Sequence, residues 1–599
     1  MLVPERQSGY APIADYGVIG DGRTVALVAL DGSIDWLCLP DIDSASVFGA
    51  LLDAERGGSF RLAPSVPFSA GRRYLPETNL LETTFSTSAG TVRVTDCLNL
   101  PLRGLAPTRE LARKIEGLEG AVPMEWSAEP RFDFAEQTPR LDWRGPFPVA
   151  SDGARALAFC SWSAGAPTIE GRTIGARFAL ATGEEALLAL AVADGEPLVF
   201  PARDEVESRM RESATYWAQW AGERDYTGPW RDAVLRSALA LKLLIYAPSG
   251  AIAAAATSSL PEAIGGPRNW DYRFSWIRDS SATMDALIAL GCPPEADAFF
   301  WWLMHASQLT HPELRVLYGL NGGSPQKERE LELTGYRGSR PARTGNRAVD
   351  QNQLDINGHI MQTAWLYAES GGRIDRDTAS RLAAIADLVS RRWRQPDSGI
   401  WEVRSPPRQF TESKMMCWIA LDRAQRLAER GAIPGDSASR WRSQASALRI
   451  FIAEHCWSAD LDAYLRAAEL DEADASLLLP AMLGFGGPGE RARLTRTTRR
   501  IRERLGVGPL LYRYRGEDGL DPGEGTFTTC SFWLVDALAR LGHRDEAAEL
   551  MQELLGRSND VGLYAEEIDP ESGEFLGNFP QALVHLALIN AAVTLEAER

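Results

Sequence analysis

The strongest constraint on the fold is a change of period near residue 204. Before it, short runs alternate apolar and polar side chains, as in Thr91-Val92-Arg93-Val94-Thr95-Asp96-Cys97. Turn signals recur at Gly20-Asp21-Gly22, Asp31-Gly32, Ser88-Ala89-Gly90, Asp152-Gly153 and Asp194-Gly195. Such punctuation over residues 10–200 predicts many short strands and a β-sandwich. Asp204 to Trp220 then turns to helical period, with charges on one side and Met210, Trp217 and Trp220 on another. It reads as a linker helix. From Trp230 the pattern is helical almost throughout, with twelve helices expected near 230, 277, 293, 356, 376, 411, 437, 473, 488, 526, 544 and 579. Several are apolar on most sides, among them Ala233 to Tyr246 and Phe579 to Val593, which calls for burial on most sides. Twelve helices in pairs predict six hairpins closed in a ring. An open superhelical stack would contain the same number.

Composition narrows the partners. A chain of 599 residues exceeds one ordinary core, so at least two domains are expected. The net charge of −18 and pI near 5.0 argue against nucleic acid or an anionic membrane surface as partner. They suit an uncharged substrate. The start M-L-V-P-E-R-Q-S-G-Y lacks the basic and apolar regions of a signal peptide, and no apolar run is long enough to span a membrane. The seven cysteines are odd in number and widely spaced, as expected of reduced, buried thiols in a cytoplasmic protein. The six histidines show no metal-ligand spacing; His305 and His311 lie six apart, off one helix face. No metal or cofactor is expected. Homo-oligomerisation is left open.

The chemistry concentrates in long connections between the expected helices: Pro248–Trp276, Thr310–Asp355, Gln395–Phe410, Pro509–Gly525 and Ser558–Asn578. Ordinary helix links are about two to eight residues. In Asn269–Asp285, four aromatics (Trp270, Tyr272, Phe274, Trp276) alternate with polar residues before Arg278 and Asp279. Flat apolar faces beside a forked donor and a carboxylate suit a sugar. The same stretch also reads as a strand ending in an Asp-capped helix with a local ion pair. Two further loops hold carboxylates: Glu402 after Trp401, and Glu566 in Gly562-Leu563-Tyr564-Ala565-Glu566-Glu567. A carboxyl against Trp is poorly solvated and tends to stay protonated, while a wetter one stays ionised, which is the equipment for glycosidic cleavage. Solvated loop charges remain the plainer reading of the same residues.

Together, D-Y-R-F-S-W-I-R-D at 271–279, G-I-W-E-V-R at 399–404, E-G-T-F-T-T-C-S-F-W at 524–533 and A-E-E-I-D-P-E-S-G-E-F-L-G-N-F-P-Q-A at 565–582 resemble glycoside hydrolase family 15. This is the family of glucoamylases and microbial trehalases. Residues 13–40 resemble the N-terminal β-domain of its bacterial trehalase-like branch. The resemblance implies a β-sandwich over 1–203, a linker helix over 204–228 and a catalytic (α/α)6 toroid over 229–599. It implies an inverting mechanism without metal, with Glu402 as general acid and Glu566 as general base. Arg278 and Asp279 match the pair gripping the terminal glucose, and Tyr272, Trp276 and Trp401 match aromatics of that pocket. Arg513 matches a substrate-binding arginine. Glu524 stands where the trehalase-like branch has an acid, and is a rival for base or a contact to the second sugar. Asn357 and His359 depart from the family's usual Q-L-D-x-Y-G-E, which bears on the second-sugar site.

The implied function is an inverting, exo-acting α-glucoside hydrolase, with α,α-trehalose favoured. The alternative is a glucoamylase-like α-1,4/α-1,6-glucosidase on intracellular maltooligosaccharides or isomaltose. A phosphorylase on the same ring ranks below both, because Glu566 stands in its full motif.

Overall fold

The computed structural model describes residues 1–102, 109–520 and 523–597. Its first part is two antiparallel layers joined by one strand, Arg109–Ala128. The front half of that strand pairs with Gly90–Leu98 and Glu185–Asp194; the back half pairs with Phe60–Pro64 and Thr173–Ala181. The corner falls at Gly117 and Gly120. A Cβ on Gly117 would lie 2.1 Å from the Ala181 carbonyl oxygen, and Gly120 has φ +68°. Only glycine lets the backbone turn and touch there. Between the layers, Phe60 meets Phe159 edge-on at 5.8 Å and Trp126 at 6.2 Å. The alternation over 10–200 thus builds the expected sandwich, with one shared strand.

Helix α1 (Arg203–Gly222) leads to twelve more: α2 (Arg231–Leu244), α3 (Ser280–Ala289), α4 (Pro293–Ala306), α5 (Ile356–Glu369), α6 (Arg376–Arg392), α7 (Thr411–Glu429), α8 (Ala438–His455), α9 (Leu479–Met482), α10 (Arg491–Leu505), α11 (Thr528–Arg540), α12 (Arg544–Leu555) and α13 (Ala582–Ala597). The even and odd members differ in packing. α3, α5, α7, α9, α11 and α13 touch in succession, and α13 returns to α3. That contact closes the ring, which the helix count alone left undecided. The inner helices are buried nearly all round, as in α13, whereas outer α6 shows one apolar face of Leu382, Ile385, Ala386 and Val389 and exposes its charges. No helix among the described residues is long and apolar enough to cross a membrane. All seven cysteines are unpaired and buried.

Each long connection runs from an outer helix to the next inner one, so all of them open on one end of the ring. The sandwich braces this end. Trp36 donates its indole N–H to the Ala256 carbonyl at 2.9 Å. In the Asp271-Tyr272-Arg273 run the polar residues turn to this seam: Arg273, fully buried, pairs with Asp271 at 2.7 Å and donates to the Ser44 carbonyl at 2.5 Å. Tyr272, Phe274 and Trp276 pack together on the other side.

Candidate active site

A pocket opens at the loop end of the ring. Tyr272, Arg278, Trp401, Glu402 and Arg513 line it, with Glu262, Arg268, Trp270, Arg404, Tyr514, Phe527 and Gln581. Trp276, Asp279 and Glu566 are buried in the wall behind. Glu524 lies in an adjoining cleft that shares Arg268, Tyr514 and Leu520 with the pocket. Loops from four of the five long connections, all but Thr310–Asp355, therefore bring the named residues to one place.

Glu402 has φ +58°, a left-handed conformation that side chains rarely adopt. The turn aims its carboxylate at the pocket. Glu402 Oε1 accepts from Trp276 Nε1 at 2.7 Å and from Arg278 Nη1 at 3.3 Å. The indole on Glu402 is therefore that of Trp276, not of its chain neighbour. Trp401 instead donates to Asp474 at 2.8 Å. Arg278 Nε donates to Asp279 Oδ1 at 3.0 Å. Asp279 begins α3 without capping it, since its carboxylate makes no bond to the first helical N–H groups. The capping reading fails and the ion pair stands.

The carboxylate expected in the wetter setting is the more buried of the two: Glu566 is 1% exposed, while the Glu402 side chain is 16% exposed. Its Oε2 accepts from the Asn578 N–H at 2.9 Å, while Oε1 accepts no hydrogen bond from the described residues. Burial, then the Glu262 carboxylate, push its carboxyl up to about 8 against the pull of Arg513 and of Tyr272. Tyr272 is close to both acids: burial, then the Glu566, Glu262 and Glu402 carboxylates, push its phenol up, and its ring meets Trp276, which holds Glu402, at 5.2 Å. Arg513 gathers three other carboxylates, Glu262 at 2.9 Å, Glu524 at 2.5 Å and Glu567 at 3.2 Å. Glu524 is gripped a second time by Arg268 at 3.1 Å. Over Trp270 lie the guanidinium groups of Arg343 at 4.7 Å and Arg404 at 5.3 Å.

Sequence reasoning missed Glu262, Arg268 and Arg404 as pocket residues. Arg404 closes the quoted G-I-W-E-V-R run and Arg268 directly precedes Asn269, so position beside a motif was the available signal. Asn357 and His359 do not line the pocket; both are buried on α5. Burial, then Arg278, pull His359 down to about 3, which keeps its imidazole neutral.

The profile described as "Glycosyl hydrolases family 15" matches residues 228–593, and that described as "Trehalase-like, N-terminal" matches residues 7–146. A trehalase of Mycolicibacterium smegmatis is 40% identical over 98% of this chain and 92% of its own length. One from Thermoplasma volcanium is 34% identical over 98% of this chain and 94% of its own. A bacterial glucoamylase solved with acarbose superposes at TM-score 0.72, covering 100% of this chain and 96% of its own, at 13% identity. That likeness shows the fold, including the ring.

Proposed function

The chain belongs to glycosyl hydrolase family 15, and from that premise we propose that it is an inverting α,α-trehalase acting in the cytoplasm. The observation that carries this is that Glu402 and Glu566, from two distant loops, both lie close enough to Tyr272 to act on its hydroxyl. Both bonds to Glu402 end on Oε1, so an acid proton belongs on Oε2, free to pass to the bridging oxygen. Glu566 Oε1 accepts no hydrogen bond of ordinary geometry from the described residues and can take a proton from water. Arg278, held by Asp279, offers its guanidinium to the hydroxyls of the terminal glucose. Arg268, Arg404 and Glu524 offer donors and an acceptor to the second one. Glu524 is the poorer base, because two arginines already occupy its carboxylate.

In the reaction Glu402 gives its proton to the oxygen between the rings. Water attacks the anomeric carbon from the opposite face as Glu566 takes its proton. Glu402 ends ionised and Glu566 protonated, and solvent resets both. An inverting pair stands about 6.5–9.5 Å apart to admit that water, and this reading requires that wider spacing of Glu402 and Glu566. The reading places the chemistry in residues 229–599 and makes 1–203 a brace. The names of the full-length relatives, the match to the trehalase-like N-terminal profile and Glu524 favour trehalose over maltooligosaccharides.

The test is to incubate the protein with trehalose, maltose, isomaltose and soluble starch and follow early products by NMR. Trehalose should be cleaved fastest and give equal β- and α-glucose before mutarotation. α-Glucose alone would end the inverting reading, and faster cleavage of maltose or isomaltose would favour the glucosidase alternative.

The buried base sets a pH dependence. Glu566 works only when ionised, and its pKa is raised, so kcat/KM should climb with pH through a limb well above the usual carboxylate range. Glu262→Gln removes a neighbouring negative charge and keeps an acceptor for Arg513. The limb should move to lower pH by on the order of one unit. An unmoved limb, or one moved upward, would show that Glu566 is not the group being titrated.

A further inference from the structure

Behind the pocket floor lies a second polar group that the reaction above does not use. Asp355 immediately precedes α5 and His359 follows four residues later, so both project from one helix face. Glu412 is the second residue of α7. Gly358 brings the two helices together: a Cβ there would lie 2.5 Å from the Met416 carbonyl oxygen. One ligand atom from each of Asp355, His359 and Glu412 lies within 4.8 Å of the other two. The three residues are at most 2% exposed.

Their polar atoms are unanswered by protein. Both oxygens of Asp355, both of Glu412 and Nε2 of His359 have no hydrogen-bond partner among the described residues. Nearby cations are committed elsewhere. Arg278 pairs with Asp279 and Glu402, and Lys414 donates to the Gln395 carbonyl at 2.6 Å. The other trio of carboxylates, Glu262, Glu524 and Glu567, encloses Arg513 as its cation. No arginine or lysine makes an ion pair with Asp355 or Glu412 among the described residues, and Asp397 adds a further buried carboxylate close by. Ionised carboxylates buried without a cation are strongly destabilising, so such groups are normally paired, bound to metal or protonated.

We propose that Asp355, His359 and Glu412 form a binding site for a first-row divalent cation such as Zn²⁺ or Mn²⁺. One imidazole nitrogen and two carboxylates suit these ions better than Mg²⁺ or Ca²⁺, which favour all-oxygen sets. The second ring nitrogen, Nδ1, lies 2.9 Å from Ser281 Oγ. In the tautomer where Nδ1–H donates to Ser281, Nε2 presents its lone pair to the two carboxylates, as a metal-bound histidine does. None of the three residues lines the pocket, so the ion is structural. It ties α5 to α7 and, through Ser281, to α3 just beyond Arg278 and Asp279.

The test uses the full chain, purified without metal resin, stripped with a chelator and then exposed to Zn²⁺ or Mn²⁺. After gel filtration, elemental analysis should find about one equivalent per chain, and the thermal midpoint should rise by a few degrees over the stripped protein. Glu412→Gln and His359→Gln should each lose both the retained ion and the rise. Circular dichroism and gel filtration would confirm that each variant is folded. If folded wild type retains neither ion and its midpoint is unmoved, the group is satisfied by shared protons or water and the site does not exist. If Glu412→Gln retains the ion as wild type does, the ion binds elsewhere and the assignment is wrong.

Discussion

Glu402→Gln should lower kcat on trehalose by about 10²–10⁴-fold, the usual worth of a positioned general acid. The amide still accepts from Trp276 and Arg278 through its carbonyl, so the fold around the left-handed turn is kept. It has no acidic proton to give. Fluoride leaves without one, and Glu566 still activates water, so α-glucosyl fluoride should be hydrolysed with a much smaller loss. The two substrates measured side by side decide the role. An equal loss on both would move Glu402 from proton donor to substrate binding. A thermal midpoint far below wild type would instead show that the turn had failed.

Glu566→Ala should abolish hydrolysis of trehalose and of α-glucosyl fluoride alike, by about 10³-fold or more, because the water then attacks without a base. Azide needs no deprotonation. The shortened side chain leaves room in the wall beside Tyr272 for a small anion. Azide added to the variant should therefore restore cleavage of the fluoride and give β-glucosyl azide, the inverted product. Glu524→Ala should not behave this way, since Glu524 is held by Arg268 and Arg513. It should raise KM for trehalose more than it lowers kcat. If azide rescues Glu524→Ala while Glu566→Ala keeps most activity, the base is Glu524. The side chain of Glu566 packs against Gly577, where an added Cβ would lie 2.6 Å from its Oε2. Its removal thus opens space without exposing a core face, and the midpoint should change little.

Local residue pattern was enough to give the elements and where the loops fall. Strand alternation and helical period are local properties, so the β layers before residue 204 and all twelve later helices were legible within a few residues. The loop motifs were legible too, because Tyr272, Glu402 and Glu566 each sit in a short distinctive run. Ring closure was not, since it depends on α13 meeting α3 across some three hundred residues. Nor was the partner of Glu402. Proximity in sequence pointed to Trp401, but the turn at φ +58° sends the carboxylate to Trp276 and leaves Trp401 to Asp474. Glu524 read as a rival base or a second-sugar contact until the fold placed Arg268 and Arg513 on it. His359 read as a departure near the second sugar, yet packing of α5 on α7 buries it against Asp355 and Glu412. In each case the deciding contact joins residues far apart in the chain. No local pattern encodes such a contact; the packing of the six inner helices makes it.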